Sequence, residues 1–237
     1  MGIEQYSSVF TSDYLMGPNS MVLLDEMIAP YAGRLSGARI LDLGCGQGVS
    51  SLYLAKETGA GSIISTDLWI DATRLEQNFE AWGIADRAFP IHADANALPF
   101  GAGCFDAVVS VDAYHYFGLQ PGFFAEKIWP LVRPGGGVYL CMPGLKHEFG
   151  GEYPELMREW AGDETNCFHS AQWWKETLLS GTEGVCEAIT AENKCFDRAW
   201  DDWFTSGHPY ALRDQEFIER GLGEYLAFVC IILKKTK

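Results

Sequence analysis

Glycine stands at every second position in Gly44-Cys45-Gly46-Gln47-Gly48, directly after the apolar run and acid of Ile40-Leu41-Asp42-Leu43. The helix-compatible Val49 to Lys56 follows at once. An apolar strand that ends in such a turn and restarts as a helix belongs to an alternating α/β architecture. Glycine reaches backbone angles closed to other residues and lets a ligand approach the main chain, while the first turn of the helix offers unpaired N–H groups. A ligand site is therefore expected at the carboxyl end of this strand.

The glycine spacing separates two kinds of nucleotide-like ligand. A dinucleotide fingerprint needs Gly-x-Gly-x-x-Gly, but here the third glycine comes one residue early and Val49 holds its place. The next segments continue the alternation. Ser62 to Thr66 is a β-branched run ending in Asp67, at the ~20-residue distance where ribose-binding acids occur in such folds. An acid there can also cap a helix, although Asp71 is better placed for that role, ahead of Leu75, Phe79 and Trp82 on one helical face and Gly83 as the stop. Phe89 to Phe100, Phe105 to Ala113 and Leu131 to Leu140 supply further strand-to-loop transitions. Pro130 interrupts the apolar pattern Phe124-Ile128-Leu131, and a kink or an early helix end is expected there.

Asp-x-Gly-x-Gly-x-Gly at residues 42–48, followed in order by Asp67, the Asp94-Ala95-Asn96-Ala97-Leu98-Pro99-Phe100 segment, Asp112 and Arg133-Pro134-Gly135, resembles the motif series of the class I S-adenosylmethionine-dependent methyltransferases. The resemblance covers residues 36–142 and a terminal strand near Tyr225 to Lys234. It is nearest to the small-molecule branch related to quinone and lipid methyltransferases. It implies a Rossmann-like, doubly wound, largely parallel sheet with helices on both faces, and S-adenosyl-L-methionine as cofactor. By the same resemblance, Asp42, Gly44, Cys45, Gly46 and Gly48 surround the methionine portion and Asp67 the ribose diol. Leu68 covers one adenine face, Asp94 with Ala95 reads the adenine edge, and Asp112 lies near the amino group or sulfonium. The expected activity is direct in-line methyl transfer to a small molecule. Two alternatives remain. A nicotinamide-dependent oxidoreductase shares Gly44, Gly46 and Asp67 but leaves Val49 and the Asp94 segment unexplained. A non-catalytic S-adenosylmethionine-binding protein is compatible with every motif.

Residues 1–35 form an expected amino-terminal lid. Tyr14, Met16 and Asn19 are candidates to reach the pocket, with a proline turn and helix N-cap as the alternative for this segment. After Pro143 the regular pattern breaks up, and five of the eight tryptophans fall between positions 160 and 203. Segments 145–168 and 195–222 read as insertions that cap the substrate, within one methyltransferase domain spanning 1–237. Trp160 and Trp203 are substrate-pocket candidates, with core packing or a homodimer interface as alternatives for the aromatic set. Val185 to Thr190 and Tyr225 to Leu233 read as the last two strands. Tyr114-His115-Tyr116 follows Asp112 at the end of the fourth strand, so Tyr114 and Tyr116 are pocket candidates and His115 a candidate general base.

A formal net charge of −15 disfavours a nucleic-acid substrate, whose binding draws on Lys and Arg. Seven cysteines without a C-x-x-C pair argue against a disulfide framework or zinc ribbon. Cys167 and His169 lack a third and fourth metal partner in sequence, so no metal is expected. No run approaches the ~20 apolar residues of a membrane span, and the amino terminus lacks a signal-peptide order. A cytoplasmic enzyme without a stable membrane anchor is the expectation.

Overall fold

The computed structural model describes residues 2–237. A seven-stranded sheet runs through it in the order β3-β2-β1-β4-β5-β7-β6. In chain order the strands are β1 (Arg39–Leu43), β2 (Ser62–Asp67), β3 (Ala88–His92), β4 (Phe105–Val111), β5 (Val132–Leu145), β6 (Val185–Glu192) and β7 (Leu226–Lys235). The first five are parallel, while β7 pairs antiparallel with both β5 and β6. The helices are α1 (Ser20–Ile28), α2 (Ala32–Leu35), α3 (Val49–Glu57), α4 (Ala72–Ala81), α5 (Glu155–Ala161), α6 (Ala171–Leu179), α7 (Phe196–Thr205) and α8 (Pro209–Glu219).

Successive side chains of a strand face opposite sides, so neighbouring apolar residues feed two cores. Ile40 of β1 packs with Ile63, Phe79 and Tyr139 on one side of the sheet, and Leu41 packs with Val108, Leu140 and Trp174 on the other. After β3 the chain returns to the far side of β1 to place β4. The order reverses between those two strands, which is where ligands bind in open α/β sheets.

Local chemistry sets the element ends. Asp71 caps α4 by accepting from Arg74 N at 2.9 Å, and Gly83 adopts φ 62° beyond the helix. Ser170 caps α6 through Trp173 N at 3.3 Å. Pro130 has the expected effect: Phe124–Ile128 is a wide π-type turn, followed by the 3₁₀ turn Trp129–Leu131 that ends at β5. The last two strands run further than the sequence suggests, because β7 is buried along most of its length between β5 and β6.

The two segments read as insertions carry helices. Segment 145–168 contributes α5 and segment 195–222 contributes α7 and α8; α7 packs against α1 and α8, and α8 against α5. Main-chain bonds from Ser12 N to Ser206 O at 2.8 Å and from Asn19 N to Ala199 O at 2.9 Å tie the amino-terminal segment to α7. No helix among the described residues is long and apolar enough to cross a membrane.

Candidate functional site

A cavity of about 350 Å³ opens at the carboxyl ends of β1, β2 and β4, within the ~300–1,000 Å³ range of small-molecule sites. Its floor is the glycine turn. Gly44, Gly46 and Gly48 have φ of 73°, 52° and 93°, angles at which a side chain is strained. The three differ in what surrounds them. A Cβ on Gly44 would run into Ala113, and one on Gly46 would come within 3.1 Å of Met16 Sδ, so these two glycines let the first and fourth strand ends and the amino-terminal segment close on the cavity. Gly48 does not line the cavity. Its side-chain position is taken by Phe79 of α4, at 2.5 Å from a Cβ built there, so its role is helix packing.

Asp42 is likewise withdrawn from the cavity. It is fully buried, and its Oδ2 accepts from Ser50 Oγ at 2.7 Å and Ser51 Oγ at 2.6 Å, while Oδ1 has no partner. Burial pushes its carboxyl up to about 6 against the pull of the two serines, with Asp67 adding a small further rise. Cys45 lines the turn, but burial and the charges of Asp42 and Asp67 hold its thiol well above the usual range, which leaves it protonated and unreactive.

Asp67 faces the cavity from the end of β2 and braces two stretches of main chain. Its Oδ2 accepts from Gly46 N at 2.8 Å, locking the glycine turn to β2, and its Oδ1 accepts from Trp69 N at 2.7 Å and Ile70 N at 2.9 Å. Leu68 and Trp69 project from that capped loop and are 51% and 67% exposed, so they form an apolar lip rather than core. Trp69 meets the ring of Tyr116 edge-on at 5.5 Å between centroids. Beside that loop, beyond β3, Asp94 accepts from Asn96 N at 2.8 Å, which holds its carboxyl below the usual range, and Ala95 and Asn96 follow along the cavity edge. Asp112, at the end of β4, completes the ring of carboxylates. Burial pushes its carboxyl up to about 7, with the charge of Asp214 contributing.

Tyr14, Met16 and Tyr116 line the cavity. Five other candidates do not. Asn19 is fully buried, caps α1 through Met21 N at 3.0 Å, and donates to Asp202 at 2.8 Å, so it is the N-cap of the alternative reading. Tyr114 lies in the second core, surrounded by Phe117, Phe123, Phe124 and Trp174. His115 is turned inward beside Phe168, and burial lowers its pKa to about 3, so it is neutral near pH 7 and away from the cavity. Trp203 is core, and Trp160 packs on Phe168 and Trp200. The indole N–H groups of both donate to Asp214 at 2.9 Å. His169 stacks on Trp173 at 3.6 Å and faces Glu148.

Trp69, Gly17 and Phe117 line the cavity without having been singled out from sequence. The signal for Trp69 was present, since an aromatic two residues after a strand-end acid falls on the ligand-facing loop. Nothing in the pattern of α8 marked Asp214.

Among known proteins, a family model described as a methyltransferase domain matches residues 40–136. An uncharacterized protein of Mycobacterium bovis is 30% identical over 205 residues, covering 83% of this chain and 73% of that protein. The phthiotriol/phenolphthiotriol dimycocerosates methyltransferase of Mycobacterium leprae is 33% identical over 103 residues. That match spans 43% of this chain and only 36% of the relative. In structure, the chain is similar to phosphoethanolamine N-methyltransferase 2 of Haemonchus contortus, solved in complex with S-adenosyl-L-methionine. The TM-score is 0.77 at 18% identity, over 100% of this chain and 57% of that one.

Proposed function

The chain belongs to the class I S-adenosylmethionine-dependent methyltransferases, and from that membership we propose that it transfers a methyl group from this cofactor to a small-molecule acceptor. The observation that carries this reading is the cavity. A glycine turn with positive φ, a strand-end acid and a second acid with a neighbouring backbone N–H stand around one opening at the sheet's switch point. The site fits the cofactor's parts. Gly44, Cys45 and Gly46 would hold the methionine portion. Asp67 would take the ribose, Leu68 and Trp69 an adenine face, and Asp94 with Ala95 the adenine edge. When bound, the cofactor supplies a methyl carbon made electrophilic by its sulfonium.

The protein's own task is then to orient the acceptor and exclude water. Tyr14, Met16, Tyr116 and Phe117 supply apolar and aromatic surface for an acceptor, and no Lys, Arg or His side chain lines the cavity. The formal charge of −15 supports a small molecule over a nucleic acid, and a cytoplasmic location belongs to the same reading. Calorimetry with S-adenosylhomocysteine and with NAD tests the cofactor: binding of the first alone is expected, and binding of NAD alone would favour the oxidoreductase. Incubating a metabolite extract with methyl-labelled S-adenosylmethionine tests turnover. Tight binding with no labelled product in any extract would favour a non-catalytic binder.

A further inference from the structure

Methylation of an O–H, N–H, S–H or C–H acceptor to a neutral product releases one proton, and His115, neutral and buried away from the cavity, is not placed to take it. Resting on the methyl-transfer reading above, we propose that Asp112 is the catalytic residue that takes this proton. The charge of Asp214, clamped from α8 by two tryptophans, bears on Asp112 from outside the cavity.

Asp112 differs from the other acids of the cavity. Asp67 and Asp94 are engaged by backbone donors, whereas the Asp112 carboxylate accepts no hydrogen bond and forms no ion pair among the described residues. It is also the one non-glycine described residue with positive φ, 55°, a strained conformation of the kind that persists where surrounding structure enforces it. The enforcement is visible at Gly17, where a Cβ would lie 2.6 Å from Asp112 Oδ2, so the amino-terminal segment approaches the carboxylate as closely as glycine allows.

Asp214 is held from two directions. Trp160 of α5 donates to its Oδ1 and Trp203 of α7 to its Oδ2, each at 2.9 Å. Both donors are neutral, so they fix the carboxylate without cancelling its charge. The charged group that acts on Asp112 is Asp214 from α8; Tyr116, on the turn after β4, has its hydroxyl raised by burial and then by Asp112, Glu164, Cys167 and Asp214. With no cation lining the cavity, burial and the Asp214 charge together bring the Asp112 carboxyl to about 7, where it is ionised in part at neutral pH and binds a proton well. In the step, the acceptor's proton passes to an Asp112 oxygen and its freed electron pair forms the new bond to the methyl carbon. The carbon–sulfur pair stays on sulfur, and Asp112 later returns the proton to water.

The test uses the full, ligand-free chain labelled with ¹³C-carboxyl aspartate. Carboxyl resonances are titrated in the wild type, Asp112→Asn and Asp214→Asn. One resonance should titrate near pH 7 in the wild type, vanish in Asp112→Asn, and move about one unit lower in Asp214→Asn, because a like charge has gone. With the acceptor recovered by methyl labelling, Asp112→Asn should lower kcat about 10²-fold with affinity for S-adenosylhomocysteine nearly unchanged. The ascending limb of the pH–rate profile should shift downward in Asp214→Asn. Titration of Asp112 in the ordinary carboxyl range, which needs no folded variant beyond the assignment, overturns the proposal. So does a parallel loss of kcat and S-adenosylhomocysteine affinity in Asp112→Asn. A wild type that fails to bind S-adenosylhomocysteine would instead refute the cofactor reading on which this rests.

Discussion

Replacing Asp67 with alanine removes a carboxylate that holds a turn and faces the cavity at once, and the geometry separates the two effects. An ionised carboxylate has about four acceptor positions, and three are filled by Gly46 N, Trp69 N and Ile70 N. Roughly one remains for a ribose hydroxyl. A hydrogen bond to a charged group contributes about 1.5–3 kcal/mol, so S-adenosylhomocysteine should bind roughly 10- to 150-fold more weakly to Asp67→Ala. The three backbone donors sit on an open cavity where water can replace the carboxylate, so the stability cost is about 1–3 kcal/mol. For a chain of this size that lowers Tm by about 2–12 °C. Asp67→Asn divides the roles. Its amide oxygen can keep the Trp69 and Ile70 bonds while the amide nitrogen abandons Gly46 N, so most of the Tm should return and part of the affinity should stay lost. Calorimetry gives the affinity and unliganded thermal melting gives the stability. An alanine variant that melts early yet binds S-adenosylhomocysteine within about twofold of wild type would show that Asp67 only braces the turn, and the ribose assignment would fall.

Gly46→Val should fold but lose measurable binding of S-adenosylhomocysteine, since φ 52° is strained for a branched residue and Met16 stands 3.1 Å from the added carbon; normal binding by a folded variant would remove the turn from the site. Trp203→Ala empties a buried position and releases Asp214, and a loss of about 3–5 kcal/mol in denaturant unfolding is expected; a change in turnover with unaltered stability would restore it as a pocket residue. His115 has a folded pKa lowered to about 3, so the unfolded chain binds the proton first and stability is lost as pH falls from about 6.5 toward 3. Asp42 and Asp112, raised to about 6 and 7, act oppositely and favour the folded state below about pH 4, a gain lost as pH rises through those values. His115→Gln should therefore flatten the decline of stability between pH 6.5 and 3, measured by urea unfolding, and an unchanged slope would show that His115 titrates normally.

What the sequence alone determined is local. Strand periodicity, the Asp71 and Ser170 caps, the break at Pro130 and the alternating glycines each follow from a few adjacent residues, and they suffice for the α/β alternation and for the edge at which Gly44, Gly46, Asp67, Asp94 and Asp112 gather. Direction was harder to read than position. Asp42 and Gly48 sit within the glycine motif, yet one turns to Ser50 and Ser51 of the next helix and the other is filled by Phe79 of α4, because packing decides what occupies the space around them. Tyr114, His115 and Tyr116 are consecutive, but the short turn that carries them points two rings into the protein and one to the cavity. The added helices show the same limit: Trp160, Trp203 and Asp214 come from three of them, 54 positions apart at the widest hydrogen bond, and only their packing makes a clamp. Hydrophobic periodicity tells a side chain whether to be buried, not which polar group it will find there. That choice is made when α5, α7 and α8 meet, and with it the surroundings of Asp112 are decided by tertiary structure.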